Sequence, residues 1–297
     1  MPSSIAEILR NDSKQLEASL NLDSGSARIE VQCLLQAALQ VNRAWLLTHS
    51  EQILNLEQQT HYTALFERRL HGEPVAYILG EREFYGLNFK VTPATLIPRP
   101  DTELLVELAL QRIPQQSKCR VLDLGTGSGA IALSIAHARP NAEVVAVDAS
   151  AAALKVAQLN AQRLGFNNVR LLLSDWFSAL NGERFDIIVS NPPYIAANDV
   201  HLSQGDVRFE PHNALASGAD GLEGIRRITE HAKEHLNVNG WLLLEHGYDQ
   251  AAQVRACLQQ IGFTSVFSAL DLAGIERVSG GSCRTSANKP ESGFIQP

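Results

Sequence analysis

The sequence predicts an α/β protein: a mostly parallel sheet with helices on both faces, preceded by a small helical domain. Three observations predict it. From Cys119 onward, short and almost wholly apolar runs alternate with amphipathic segments, as strands buried on both sides alternate with their covering helices. The first of those runs ends in a glycine-rich turn. Residues 1–73 instead repeat their apolar positions every three or four residues, without strand-like alternation.

In the helical part, Ile5, Ile8, Leu9, Leu16 and Leu20 share one face, and Leu34, Leu35, Ala38 and Leu39 another, with a break at residues 21–26. The character changes at Glu73-Pro74. Residues 74–100 carry aromatic and β-branched side chains around Gly86 and Asn88, which predicts a hairpin linker. Pro93, Pro98 and Pro100 stiffen the approach to a helix that begins near Asp101. Within residues 101–280, CRVLDLG is a strand and AIALSIAHARP a helix stopped by Pro140. EVVAVD is a strand, and SAAALKVAQLNAQRLG a helix with Gly165 at its end. VRLLLSD, FDIIVS and GWLLLEHG are further strands, and DQAAQVRACLQQIG is another helix. Residues 281–297 are polar and are expected to be disordered.

Composition narrows the function. The 297 residues are 45% hydrophobic and 19% charged, which suits a globular protein with a substantial core. A net charge of −7 disfavours broad nucleic-acid binding. The four cysteines are far apart and form no CxxC pair, so free thiols in a reducing compartment are expected. No signal pattern opens the chain and no apolar stretch approaches membrane-spanning length, so a cytoplasmic protein without a membrane partner is expected. His231 and His235 stand four apart, but HAKEH lacks the glutamate of HExxH, and no metal site is expected.

The glycine turn reads Asp123-Leu124-Gly125-Thr126-Gly127-Ser128-Gly129. Glycines there let backbone amides approach a ligand at the start of the next helix, although such a turn can also serve packing alone. The spacing is GxGxG, not the GxGxxG of dinucleotide binders. Asp148 ends the second strand, 23 residues after Gly125. A carboxylate there can accept hydrogen bonds from both hydroxyls of a ribose; the alternative is a helix N-cap. Asp175-Trp176 ends the third strand, where a carboxylate can meet an adenine amino group and an indole can cover the ring; Trp176 as a core residue is the alternative.

The fourth strand stops abruptly at Asn191-Pro192-Pro193-Tyr194. Two prolines cannot donate to a sheet ladder, and their rings fix the backbone on either side of a polar and an aromatic residue. An amide or aniline-like nitrogen has a delocalised lone pair and is a poor nucleophile. If the Asn191 side-chain carbonyl and the Pro192 backbone carbonyl each accept one of its N–H groups, its lone pair is freed towards an electrophile, and Tyr194 can stack on the flat group.

NPPY after a GxGxG-type turn resembles the (N/D/S)PP(Y/F) motif of S-adenosyl-L-methionine (SAM)-dependent methyltransferases that modify planar nitrogens. The stretches GEPVAYILGEREFYGL and TLIPRPDTELLVE, and Phe209 to Leu215 followed by Gly218 to Leu222, resemble segments of the release factor glutamine methyltransferases, the HemK/PrmC family. The resemblance implies a Rossmann-like methyltransferase domain with a seven-stranded, mostly parallel sheet. It implies methylation of the glutamine side-chain nitrogen (N5) in the GGQ motif of class I peptide-chain release factors, the helical domain helping to hold that partner. Carried onto this sequence, SAM is bound by Gly125, Thr126, Gly127, Ser128, Gly129, Asp148, Trp176 and Asn191. Substrate is held by Asn191, Pro192, Pro193 and Tyr194, with Asn191, Pro192 and Tyr194 catalytic. The implied enzyme is a monomer with no nucleic-acid target. One departure stands out: after ERVSGG the family's final strand is expected to be interrupted.

Rival readings are a ribosomal-protein glutamine methyltransferase, a nucleic-acid amino methyltransferase and a nicotinamide oxidoreductase. The second calls for a basic target-recognition region. The third shares the glycine turn and Asp148 but leaves NPPY unexplained.

Overall fold

The computed structural model describes residues 3–283. Their contacts divide them into two compact units. One holds the chain up to Arg82 together with Val91–Pro93 and Val200–Glu210; the other holds Glu83–Lys90, Ala94–Asp199 and the chain from Pro211. Among the described residues, no helix is long and apolar enough to cross a membrane.

The first unit is built on α1 (Ile5–Leu20), α2 (Ser24–Leu39), α3 (Arg43–Thr48), α4 (Leu56–Leu70) and α5 (Val75–Leu79). Local sequence starts these helices. Ser4 and Glu7 form a capping box on α1, Asn55 and Gln58 another on α4, and Asp23 caps α2. Each satisfies backbone amides that the first helical turn cannot. The apolar stripes then meet in one core around Ile5, Leu16, Leu34, Leu35 and Tyr62, all buried. The hairpin linker expected from residue 74 begins differently: Val75–Leu79 coils into one helical turn closed by Gly80. The hairpin proper is β1 (Glu81–Phe84) and β2 (Leu87–Lys90), turning at Tyr85-Gly86. Positive φ at both turn residues matches the right-handed twist of the strands.

In the sequence, Arg68-Arg69 reads as a solvated helix face, or else a contact to a release factor or its bound RNA; in the structure only Arg68 is exposed. Arg69 is 2% exposed. Its guanidinium donates to Glu30 at 2.7 and 3.1 Å, to Asp206 at 2.8 Å and to the carbonyls of Gly72 and Glu73 at 3.1 Å each. Asp206 lies in the segment that follows NPPY in the chain, and these bonds help gather Val200–Glu210 into the helical unit.

The second unit contains α6 (Glu103–Arg112), β3 (Arg120–Leu124), α7 (Ala130–Ala138), β4 (Glu143–Asp148), α8 (Ala151–Leu164), β5 (Val169–Leu173), β6 (Phe185–Ser190), α9 (Glu223–Ala232), β7 (Leu236–Glu245), α10 (Ala251–Gln260), β8 (Thr264–Leu270) and β9 (Glu276–Ser282). The seven strands β3 to β9 form one sheet in the order β5-β4-β3-β6-β7-β9-β8. The pairs from β5 across to β7 are parallel, and β9 is antiparallel to both β7 and β8. Apolar clusters fill both faces, one around Val121, Val144 and Val189, the other around Leu122, Val145 and Ile188. Period-two alternation sends neighbouring residues of one strand to opposite cores, which is why apolar residues follow one another directly in runs such as residues 144–147 and 187–189.

The final strand, expected to be interrupted after ERVSGG, extends one residue past that run. Strand β9 runs through Gly280 and Gly281 to Ser282, with Gly280 opposite Leu243 and Phe267, and Ser282 opposite Trp241 and Thr264. Glycines suit this run because a Cβ at Gly280 would lie 2.6 Å from a Leu243 methyl and 2.7 Å from the Leu242 carbonyl. Residues 281 and 282, assigned to the tail from sequence, therefore belong to the sheet; residues 284–297 of that expected tail lie outside the described residues.

Candidate active site at the carboxyl edge of the sheet

Strand order reverses between β3 and β6: from β3 the chain builds outwards through β4 and β5, then returns to β6. Such a switch point opens a crevice at the carboxyl ends of the strands. Here it is a cavity of ≈ 270 Å³. Gly125, Thr126, Gly127 and Ser128 line it from the turn after β3, Asp148 from β4, Asp175 and Trp176 from beyond β5, and Asn191 and Pro193 from beyond β6.

The turn is held from beneath. Asp123 is fully buried and accepts a 2.6 Å hydrogen bond from the Thr126 hydroxyl. Burial pushes its carboxyl up to about 7, against the lowering effect of Thr126 and a backbone amide. Gly129 closes the turn at φ +85°, where a Cβ would meet Leu133 at 3.0 Å and Ala157 at 3.3 Å. It therefore serves the packing of the turn and does not itself line the cavity.

Asp148 is not the cap of the following helix; Ser150 is, accepting from the Ala153 amide. One Asp148 oxygen accepts the Gly127 N–H and the other the Ser150 N–H, both at 2.8 Å. Partial burial raises its pKa while these two bonds lower it. Each oxygen keeps a further lone pair, so a pair of vicinal hydroxyls fits this carboxylate.

Trp176 holds φ +50°, an uncommon backbone for a bulky residue, with its carbonyl accepting from Ser174 Oγ at 2.7 Å. Its ring packs partly on the core and partly against Gly125 and Gly224, and it also lines the cavity. Asp175 is exposed and pairs with Arg227 at 2.9 Å.

Asn191 donates through Nδ2 to Thr102 Oγ1 at 3.2 Å. Pro192 is buried beside Gly224, and neither it nor Tyr194 is among the cavity's lining residues. The Tyr194 carbonyl accepts from Gln250 Nε2 at 3.0 Å. Burial and the nearby Glu245 push the Tyr194 phenol well above its ordinary range. His235 faces Glu183 and stacks on Phe177 at 4.6 Å, a packing role.

Thr102, Gln250 and Glu245 were not found from sequence. Glu245 had a signal, a carboxylate closing the apolar run WLLLE at the sheet's functional edge. Thr102 and Gln250 had none, because only the fold brings them to NPPY.

The family model "Methyltransferase small domain" matches residues 101–210, and "PrmC N-terminal domain" matches residues 7–80. A release factor glutamine methyltransferase of Xylella fastidiosa (strain 9a5c) is 52% identical over 256 residues, covering 86% of this chain and 93% of its own. That of Bordetella pertussis (strain Tohama I) is 53% identical over 260 residues, covering 87% and 96%. A T. Thermophilus 16S rRNA methyltransferase solved with AdoMet and guanosine superposes with a TM-score of 0.50 at 25% identity, covering 69% of this chain and 50% of its own. The N-terminal match, the sheet with its NPPY edge and the near-complete coverage of these relatives point one way: the chain belongs to the release factor glutamine methyltransferase family.

Proposed function

We propose that this protein methylates the side-chain amide nitrogen (N5) of the glutamine in the GGQ motif of class I peptide-chain release factors, with SAM as donor, acting as a monomer. The observation that carries the reading is the setting of Asn191 at the cavity edge. Its amide nitrogen is engaged by Thr102 and faces the Glu245 carboxyl, which leaves Oδ1 as the polar atom it offers a substrate. A primary amide presents two donors and needs acceptors of this kind.

Gly125, Thr126, Gly127, Ser128, Asp148 and Trp176 would hold the cofactor, Asp148 taking its ribose hydroxyls and Trp176 covering its base. Bound SAM supplies an electrophilic methyl on a sulfonium sulfur. The protein's own residues then have to orient and polarise a weak nucleophile. Asn191 Oδ1 and the Pro192 carbonyl would accept its two N–H bonds, and the Tyr194 ring would stack on the amide plane. Prolines keep the two acceptors in fixed register, so no reorganisation is needed as the barrier is crossed. The net charge of −7 supports a protein target over a nucleic acid.

Incubation with SAM labelled in its methyl group, a folded release factor, a free GGQ peptide and RNA, followed by mass-spectrometric mapping, tests this. One methyl on the GGQ glutamine of the folded factor, with the free peptide a much poorer substrate, is the expected result. Label in RNA, or on another residue, would overturn it.

A further inference from the structure

We propose that Glu245, through Thr102 and through its own contact with Asn191, fixes the orientation of the Asn191 amide and is a positioning residue for methyl transfer. This rests on the reading of Asn191 as acceptor for the substrate amide.

Glu245 ends β7 after Leu242, Leu243 and Leu244, with only 2% of its surface exposed. Its position opposite Val278 of β9 would suit an aliphatic residue. One of its oxygens, Oε2, has no hydrogen-bond partner among the described residues, an arrangement that costs stability. The carboxyl interacts with two side chains, Thr102 and Asn191.

Thr102 makes the connection directional. A hydroxyl has one proton and two lone pairs. Thr102 Oγ1 receives the Asn191 Nδ2–H at 3.2 Å, so its own proton is available to the Glu245 carboxylate. The ionised carboxyl can only accept. It therefore holds the hydroxyl proton on its own side, and Asn191 has to present nitrogen, not oxygen, to Thr102. A protonated Glu245 could donate into Thr102 instead. The hydroxyl proton would then be free to turn to Asn191, and the amide could flip, carrying Oδ1 away from the substrate.

The charged groups around Glu245 come from several elements. Asp101, in the turn Pro100–Thr102, favours its protonated form; Arg277 of β9 favours the ionised one, and Tyr194 of the NPPY segment feels the same carboxyl. His246, next in the chain, turns its ring to the Gly247 carbonyl and Ser279. Burial dominates and pushes the carboxyl up to about 7. Ionisation is thus gained as pH rises through that value, and the ordered amide with it.

The test is steady-state and single-turnover methylation of a release factor across pH 5.5–9, with SAM affinity measured separately. Wild-type kcat should rise with pH through an inflection near the Glu245 value of about 7. Glu245→Gln should remove that inflection and lower kcat roughly 10- to 100-fold, with SAM affinity and the release-factor KM nearly unchanged. Thr102→Val should likewise lower kcat and shift the inflection, Thr102→Ser should restore most of the rate, and the double variant should be no slower than Glu245→Gln alone. Thr102→Val also carries the test if Glu245→Gln fails to fold. Folded variants with kcat within about twofold of wild type and an unchanged pH profile would overturn the positioning role alone. A wild-type protein that transfers no methyl to any release factor would overturn the functional reading as well.

Discussion

Asp148 carries two backbone amides and, on the proposed reading, the ribose of the cofactor. Asp148→Ala should weaken SAM binding by about 1.5–3 kcal/mol for each charge-assisted bond lost. Calorimetric titration of the folded variant measures this, and unchanged affinity would remove Asp148 from the site. Asn191 stands in a different relation to the reaction, because its acceptor matters most as the substrate nitrogen begins to pyramidalise. Asn191→Ala should lower kcat by about 10²–10³-fold with little change in KM, while Asn191→Asp, still an acceptor, should keep part of the rate. Tyr194→Phe should be mild if the ring only stacks. Loss of rate in Tyr194→Phe equal to that in Asn191→Ala would give the phenol a chemical role.

The NPPY segment keeps its place through the elements behind it. Ile195 and Ala216 pair as an isolated parallel bridge, and Gln250, just before α10, holds the Tyr194 carbonyl and the Gly247 amide. Gly221, at φ +76°, lies directly behind Tyr194, where a Cβ would sit 2.2 Å from the Tyr194 carbonyl oxygen. Gly221→Ala should therefore displace the segment that carries the acceptors. Turnover should fall at least about 10-fold, since misplacements of an ångström commonly cost that much or more. Circular dichroism should show the sheet retained. Full activity in this variant would show that the segment tolerates movement, contrary to the rigid-acceptor account.

Across the molecule, Arg69 joins parts of the chain that are remote in sequence: Glu30 of α2, the carbonyls after α4 and Asp206 beyond NPPY. Arg68, its neighbour, makes an ion pair with Glu73 nearer the surface. Removing a buried cation strands its carboxylate partners, whereas an exposed pair contributes little. Glu30 and Asp206 retain some solvent, which lowers the cost below that of a fully buried pair. Arg69→Ala should thus destabilise the helical unit by about 2–4 kcal/mol, and Arg68→Ala by at most about 1 kcal/mol. Urea unfolding followed by far-ultraviolet dichroism compares them; equal losses would mean that the Arg69 cluster does not anchor the segment.

Local periodicity and punctuation determined a large part of this protein from its sequence. Strands that alternate between two cores carry apolar residues at consecutive positions, so RVLDL, EVVAVD and FDIIVS could be recognised without knowing their neighbours. Gly165 and the paired prolines marked a helix end and a strand end because their backbones permit little else there. The cavity-lining Gly125, Asp148, Trp176 and Asn191 were legible because each falls at the end of a strand pattern, and parallel strands bring their ends to one edge. Tertiary structure decided what depends on distant partners. The continuity of β9 rests on pairing with β7 and β8, to which its glycines give no local clue. Arg69 looks like any surface arginine until Glu30 and Asp206 arrive from far along the chain. Thr102 and Glu245 meet Asn191 only after the sheet has formed, because hydrogen-bond polarity around an amide is set in space and leaves no period in the sequence.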